Sequence, residues 1–258
     1  MIAVVAVAVS QAALFAPPLG VPIRIVNDRA EGDWHFRMER LVRFTREAGG
    51  YRAEVWMVAA NAQGSERVGA MMEAGFGGLA GHMMVFHLDS TGKILSIDDL
   101  DTLWGHFCDG IAAIVRVKRA DAEALVTPLR NLPLAKRTEI LASLVTALIA
   151  DDDAEPDGTR PIRLPANSPY GGQLMLTGTR TIDRPGITRR STTRAAADAP
   201  GQNGLAHVEM ETVRESDPAT GVIASTSETV RTRIGTQSSA RVSTSHVTIE
   251  PATPWPAN

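Results

Sequence analysis

Apolar and polar side chains alternate with period two in the first hundred residues. The alternation runs over residues 34–44 and resumes over 51–57, after the pair Gly49-Gly50. Such alternation is typical of strands with one buried face, and adjacent glycines favour a turn. Residues 21–97 are therefore predicted to form strands, beginning with a long antiparallel hairpin.

A second hairpin is predicted around the turn at residues 89–92. Asp89 can accept hydrogen bonds from the backbone of the turn, and Gly92 can adopt a positive φ. Its strands would cover 82–88 and 93–97. Residues 66–74, between the two hairpins, are predicted to form a short helix.

The period changes over residues 98–152, where apolar positions recur at helical spacing. The pattern predicts two amphipathic helices, each with one apolar stripe. Pro133 stands where the second helix would begin, a position that tolerates proline. Pro128 interrupts the segment that would join the two helices.

Strand patterns return over residues 161–250 and are rich in Thr, Ser and Arg. Such strands bury little on one face, which predicts an antiparallel sheet with one solvated side. The proline-rich end at 251–258 is predicted to be disordered. The candidate strands are 173–182, 187–194, 205–215, 222–234 and 239–249.

Composition narrows the possible partners. The chain has 258 residues, a net charge of -3 and only 5% aromatic residues. Nucleic acid is disfavoured as a partner because it selects a strongly basic face. Cys108 is the single cysteine, so no internal disulfide can form and the redox compartment stays open.

The amino terminus predicts export. Residues 1–16 are uncharged, and their apolar run is followed by small residues from Ser10 onward, as in a signal peptide. The run is short for a membrane span, and no second long apolar stretch exists, so the mature protein is not expected to span a membrane. A buried amino-terminal strand is the alternative.

Three sequence patterns partly match ligand-binding motifs but favour structural roles. Gly75, Gly77 and Ala80 match a dinucleotide fingerprint, but a strand follows where the motif needs a helix. The acidic segment 153–158 opens like a calcium loop, but Leu164 replaces the closing glutamate. The arginines between 180 and 194 could dock an anionic partner or form exposed strand faces.

The remaining motifs predict no catalytic residue, no metal site and no cofactor. The six histidines do not cluster in the sequence, and no nucleophile elbow, phosphate loop or paired-cysteine motif is present. Asp98, Asp99 and Asp101 stand at a predicted helix start, where carboxylates stabilise the helix dipole. The sequence therefore favours a protein that is not an enzyme.

The hairpin over residues 79–94, with its Asp-x-x-Gly-Lys turn, and the turn at 217–221 resemble those of exported bacterial proteins of unknown function. More distantly, strands followed by helices and strands are similar to the periplasmic lipoprotein-carrier fold. That resemblance implies an open β half-barrel whose helices line the concave face. The resemblance assigns no catalytic residues to this chain.

We therefore expect one α+β domain over residues 21–250, with a large curved antiparallel sheet and a helical insertion at 98–152 packed on one face. The expected function is an envelope binding or carrier protein for an apolar small molecule or a partner segment. A structural protein that contacts envelope components through its sheet edges is the alternative, and the oligomeric state is open. A close-packed core without a pocket is the alternative to a ligand site. The expected site lies between helices and sheet and is lined by Trp104, Phe107, Ile111, Leu141, Leu144 and Leu148.

The first prediction concerns the amino terminus. If residues 1–16 act as a signal peptide, the protein recovered from its native host should begin after Ala12 or Ala16, the two positions suited to cleavage. Amino-terminal sequencing of that protein checks this, and an intact Met1 would contradict export by this route.

Overall fold

The computed structural model describes most of the chain outside its first fourteen residues. The predicted helix at 66–74, apart from Ala74, and nearly all of the expected signal peptide lie outside the described residues. The described ranges are 15–64, 74–118, 122–150, 155–201, 204–251 and 253–256.

Eleven strands make up most of the described structure. They include both expected hairpins, and the strands of the first are longer than the alternating pattern indicated. The strands are β1 Ile23–Glu31, β2 Trp34–Glu47, β3 Gly50–Gln63, β4 Met83–Asp89, β5 Ile94–Ile97, β6 Gly158–Asn167, β7 Gln173–Asp183, β8 Arg189–Gly201, β9 Gly204–Asp217, β10 Val222–Ile234 and β11 Gln237–Ile249.

All eleven strands belong to one open sheet in the order β5-β4-β3-β2-β1-β11-β10-β9-β8-β7-β6. Each paired neighbour is antiparallel, as the sequence predicts. The first and last strands meet at the centre, where Asn27 lies opposite Ser245. Strands β5 and β6 form the two edges and are joined through the helices.

Where two helices were predicted, the described residues between β5 and β6 form three helical segments: α1 Leu100–Lys118, α2 Ala122–Arg130 and α3 Leu134–Thr146. Pro128 sits inside α2 instead of in a linker. Tertiary contacts compensate for the helix-breaking proline, because Val126 is fully buried and the Trp104 indole N–H donates to the carbonyl of Leu129 at 3.0 Å.

Strand β6 was missed by the sequence analysis because it contains Pro161 and Pro165. Proline cannot donate to a sheet ladder and argues against a central strand. An edge strand tolerates it where the missing N–H would point away from the neighbour. Strand β6 is such an edge, paired only with β7.

The main core joins the helices to the amino-terminal strands. One face of β1–β4 supplies alternate buried residues such as Ile25, Phe36, Val55 and Phe86, and we call this the inner face of the sheet. Buried side chains of all three helices belong to the same cluster. Burial of this apolar surface is the largest stabilising contribution at this end of the sheet.

A smaller core lies on the same face of the carboxy-terminal strands. It centres on Leu176, Ala195 and Val208, with partly buried neighbours on β6 and β10. Polar residues including Thr193 and Arg214 separate it from the main core along the inner face. The inner face is therefore apolar at both ends and polar in the middle.

Residues near both chain ends also pack on the fold. Phe15 is only 3% exposed and makes edge contacts with the rings of Phe44 and Tyr51, whose hydroxyl donates to the carbonyl of Phe15 at 2.8 Å. Within the segment expected to be disordered, the Trp255 ring lies 4.4 Å from the guanidinium carbon of Arg43.

The glycine segment at 75–80 packs closely against α1. A Cβ on Gly78 would lie 2.2 Å from the carbonyl oxygen of His106, and one on Gly110 would lie 2.4 Å from that of Ala74. Only glycine permits this approach of two backbones. The glycines thus have a packing role, and β4 follows them where a dinucleotide motif would need a helix.

The second prediction concerns the packing of α3. Leu144 is fully buried in the main core, so Leu144→Ala should reduce the free energy of unfolding by roughly 2–5 kcal/mol. The exposed neighbour Ser143 provides the control, since Ser143→Ala should change it by no more than about 0.5 kcal/mol. Urea unfolding of both variants measures this, and a small loss at Leu144 would contradict a filled core there.

Candidate functional site

A charged residue interrupts the apolar side of β2. Arg40 shares the inner face with Met38 and Val42, and only 1% of its surface is exposed. Its Nε–H donates to the carbonyl oxygen of Leu144 at 2.8 Å, and Nη1 donates to the Asn27 side-chain oxygen. One guanidinium therefore links β2, β1 and α3.

The bond to Leu144 satisfies a carbonyl in the last turn of α3. The last four carbonyls of a helix have no partner within the helix, and a cation near that end also interacts favourably with the helix dipole. Burial lowers the pKa of the Arg40 guanidinium to about 9, so the group remains charged at neutral pH. The contact fixes where α3 lies over the sheet.

The chain after α3 is held by the start of β10. Ile149 forms an antiparallel bridge with Val222, the Ala150 N–H donates to Gly221 at 3.1 Å, and the Ile223 N–H donates to Leu148 at 2.8 Å. These backbone bonds keep residues 148–150 above the sheet. A space remains between this segment, α3 and the sheet.

That space is a cavity of about 740 Å³, which we call the central cavity. Such a volume lies within the range of small-molecule sites. Its walls come from the centre of the sheet, the α3 end, the segment 149–150 and the β4–β5 turn. The lining is Asn27, Thr91, Gly92, Lys93, Ser143, Thr146, Ala147, Ile149, Ala150, Arg214, Ile223, Thr226, Glu228, Ser243, Thr244 and Ser245.

A second cavity of about 650 Å³ shares part of this wall. Asn27, Ser143 and Thr146 line both spaces. The second cavity adds Phe36 and Phe76, so it is more aromatic than the first. The two spaces meet along the polar side of α3.

Four polar residues lie side by side on the sheet floor of the central cavity. Asn27 is opposite Ser245, Ser245 is opposite Thr226, and Thr226 is opposite Arg214. Directly opposite residues of antiparallel strands point to the same face. We call this set the central row.

Ser245 stands out within the central row. It is only 7% exposed, and its hydroxyl is among the buried polar atoms that have no hydrogen-bond partner in the described structure. Buried polar groups are normally paired, so an unpaired hydroxyl in a cavity wall is a candidate contact for a ligand.

The cavity wall carries more positive than negative charge among the described residues. Lys93 and Arg214 contribute cations. Glu228 contributes one carboxylate, which lies 3.2 Å from Arg241. Asp151, Asp152 and Asp153 lie outside the described residues.

The six residues predicted to line a ligand site are brought together, but within the main core. Each is at most 3% exposed, and the rings of Trp104 and Phe107 stack at 4.8 Å between centroids. Neither cavity is lined by any of them. Their role in binding stays a prediction. The set is Trp104, Phe107, Ile111, Leu141, Leu144 and Leu148.

The arginines between 180 and 194 do not form one basic surface. Arg180 lies on the inner face and pairs with Glu155 at 3.1 Å. Arg190 and Arg194 lie on the opposite face and pair with Glu215 and Glu211. Successive side chains of a strand point to opposite faces, so these arginines are divided between the two faces of the sheet. This agrees with the interpretation of the arginines as parts of exposed strand faces.

The histidines contain one pair that the sequence analysis did not expect. The rings of His82 and His106 stack with centroids 4.0 Å apart. Burial, then the charge of His106, lowers the pKa of His82. Among the described residues, no group of three or more His, Cys, Asp or Glu side chains is placed to share a metal ion.

Arg40, Asn27 and Ser245 were missed by the sequence analysis. A signal for Arg40 was present, because it occupies an apolar position in the alternation of β2. No comparable signal marks Asn27 or Ser245, since their positions depend on the pairing of β1 with β11, which are far apart in sequence.

Comparison of the sequence with protein-family models and with curated proteins finds no match. Within the described residues, no helix has both the length and the apolar character needed to cross a membrane. The geometry of the site is therefore the basis for assigning a function.

The third prediction concerns Arg40. Arg40→Met removes the donor to Leu144 while keeping an apolar stem of similar length, so α3 should open locally more often. Amide hydrogen exchange in residues 140–150 should speed up, by about tenfold for each 1.4 kcal/mol of local stability lost.

The matched control is Arg43→Met on the same strand. Arg43 lies on the opposite face, against Glu54 and Trp255, and should leave exchange in α3 unchanged. Unchanged exchange in α3 for Arg40→Met, or an equal effect of both variants, would contradict the role given to Arg40.

Proposed function

We propose that this protein is an exported binding or carrier protein without catalytic activity, and that its ligand occupies the central cavity. The observation that carries the proposal is the cavity itself, a concave space of about 740 Å³ that is partly open to solvent and lies between α3, residues 149–150 and the sheet. Small-molecule sites are concave spaces of this size, so a cavity framed by these specific contacts favours a binding function.

The lining favours a ligand with both polar and apolar parts. Ile149 and Ile223 offer apolar contacts on one side, and the central row offers polar contacts on the sheet floor. The expected site residues of the main core would then support the cavity from behind α3 rather than touch the ligand.

The sheet edges support binding over the alternative of assembly through strand pairing. Strand β5 has only four residues, which leaves little edge to pair. Strand β6 carries Pro161 and Pro165, which lack the N–H donors that an added strand would need. Short strands and edge prolines are common devices against edge-to-edge association.

We also propose that the sheet curves into a half-barrel with the helical insertion on its concave face. The size of the sheet supports this, because open twisted sheets of about ten strands or more tend to curl, and this sheet has eleven strands among the described residues. At one end of the sheet the Tyr170 hydroxyl donates to the carbonyl of Gly204 at 2.8 Å, and the ring lies against Gly201, so the turns of two neighbouring hairpins are linked.

Export remains part of the proposal, and the core favours one of the two cleavage sites. Phe15 is buried against Phe44 and Tyr51. Cleavage after Ala16 would remove this core side chain, whereas cleavage after Ala12 would keep it. We therefore propose Ala12 as the last residue of the signal peptide and the periplasm or the outside of the cell as the location.

The fourth prediction tests the binding function. Native mass spectrometry of the protein isolated from its own host should show a bound small molecule in addition to the mass of the chain. Thr226→Trp should remove it, because the indole would fill the central cavity from the sheet floor.

The control is Ser227→Trp, the next residue on β10. Ser227 is exposed on the other face and does not line the cavity, so this variant should keep the bound molecule. Circular dichroism establishes that both variants fold. A bare chain mass for the protein from its host would contradict the proposal, as would an adduct that survives Thr226→Trp.

A further inference from the structure

The chemistry of the central row points to a class of ligand, provided that the proposed binding function holds. Arg40 is the starting point. A guanidinium has hydrogen-bond donors only, so the Asn27 group that accepts from Arg40 must be its carbonyl oxygen. The amide NH₂ is then the group that Asn27 can offer to the central cavity, which it lines.

The next residue of the row also offers a donor. Ser245 lies directly opposite Asn27 and is 93% buried, with 7% of its surface exposed. Its hydroxyl is unpartnered in the described structure and lines the central cavity. A hydroxyl of this kind can donate to an acceptor atom of a ligand, and a charged acceptor gives the stronger hydrogen bond.

The row continues with a hydroxyl and a guanidinium. Thr226 lies opposite Ser245, and Arg214 lies opposite Thr226. With strands about 4.8 Å apart, the four Cα atoms span roughly 14 Å, so neighbouring members can reach one small group. Lys93 adds a cation on another wall.

Charged acceptors are fewer than charged donors among the described lining residues. Glu228 is the carboxylate there, and its Oε1 accepts from Arg241 at 3.2 Å. A ligand group that meets the central row therefore faces an amide NH₂, two hydroxyls and a guanidinium.

We propose that the ligand is an amphipathic molecule whose head is an oxyanion, a carboxylate or a phosphate, bound on the central row. An oxyanion accepts hydrogen bonds and donates none, which matches a donor-rich wall of positive charge. The apolar part of the ligand lies against Ile149 and Ile223. A neutral hydroxylated head can pair with the Ser245 and Thr226 hydroxyls, but it gains less than an anion from Lys93 and Arg214.

The fifth prediction uses three probes that share one alkyl chain: decanoate, monodecyl phosphate and 1-decanol. Calorimetric titration of the full chain should give dissociation constants at least about tenfold lower for the two anions than for the alcohol, the difference expected from one charge-assisted hydrogen bond. Inorganic phosphate should bind more weakly than monodecyl phosphate. Equal binding of the two phosphates would overturn the amphipathic part of the proposal.

Two variants connect the preference to the row. Asn27→Asp keeps the shape and the acceptor for Arg40 but places a carboxylate in the cavity wall, so the preference for anions should disappear. Ser245→Ala should weaken anion binding by about tenfold and should weaken binding of 1-decanol less, because a hydrogen bond to a charged acceptor is the stronger one. Ser227→Asp and Ser227→Ala, on the outer face, should change neither.

The outcomes separate this inference from the binding function. Equal affinity for all three alkyl probes, abolished by Thr226→Trp, would overturn the oxyanion head and leave a carrier function in place. Retention of the anion preference in Asn27→Asp would overturn the role of the central row. If no alkyl probe binds and the protein from its host carries no adduct, the inference and the proposed function both fail.

Discussion

The position of α3 depends on one buried guanidinium. Arg40 rises from the apolar side of β2, reaches a carbonyl at the end of α3 and fixes the orientation of Asn27 on β1. Burying a cation among neutral partners is costly, so such a group is poorly explained by stability alone. The role of the Arg40 guanidinium is to position its partners. It has several N–H donors and no acceptor, so it can hold the end of α3 and the side-chain amide of Asn27 in one arrangement. The central cavity lies beside that arrangement.

The inner face of the sheet changes in composition from one end of the sheet to the other. Helices cover the amino-terminal strands, whose inner side chains are apolar and form the main core. The far strands have a small core of their own around Leu176 and Val208. Between the two cores the inner side chains are Ser, Thr, Asn and Arg, and arginines there pair with Glu155 or Glu228. A binding site at this boundary has apolar and polar contacts within reach.

Much of the fold could be predicted from the sequence because it depends on local patterns. Alternation located β2 and β3, and turn residues located the hairpin at Asp89. Strand β6 and the helix around Pro128 were missed because proline is tolerated at an edge and in a well-packed helix.

The site was harder to predict than the fold. The large apolar side chains of α1 and α3, which were expected to line a ligand site, lie in the main core, and their role in binding stays a prediction. The central row is assembled by pairing residues near position 27 with residues near 214, 226 and 245, which no local pattern contains.

The central claim is that the space framed by Arg40, α3 and the central row is the binding site. A crystal structure of the protein isolated from its own host with its ligand retained would test it most directly. The account predicts electron density for a bound molecule in the central cavity, with an acceptor atom within hydrogen-bond distance of Ser245 Oγ and of the Asn27 amide nitrogen. Density between the helices and the sheet, among Phe107, Ile111 and Leu148, would contradict it.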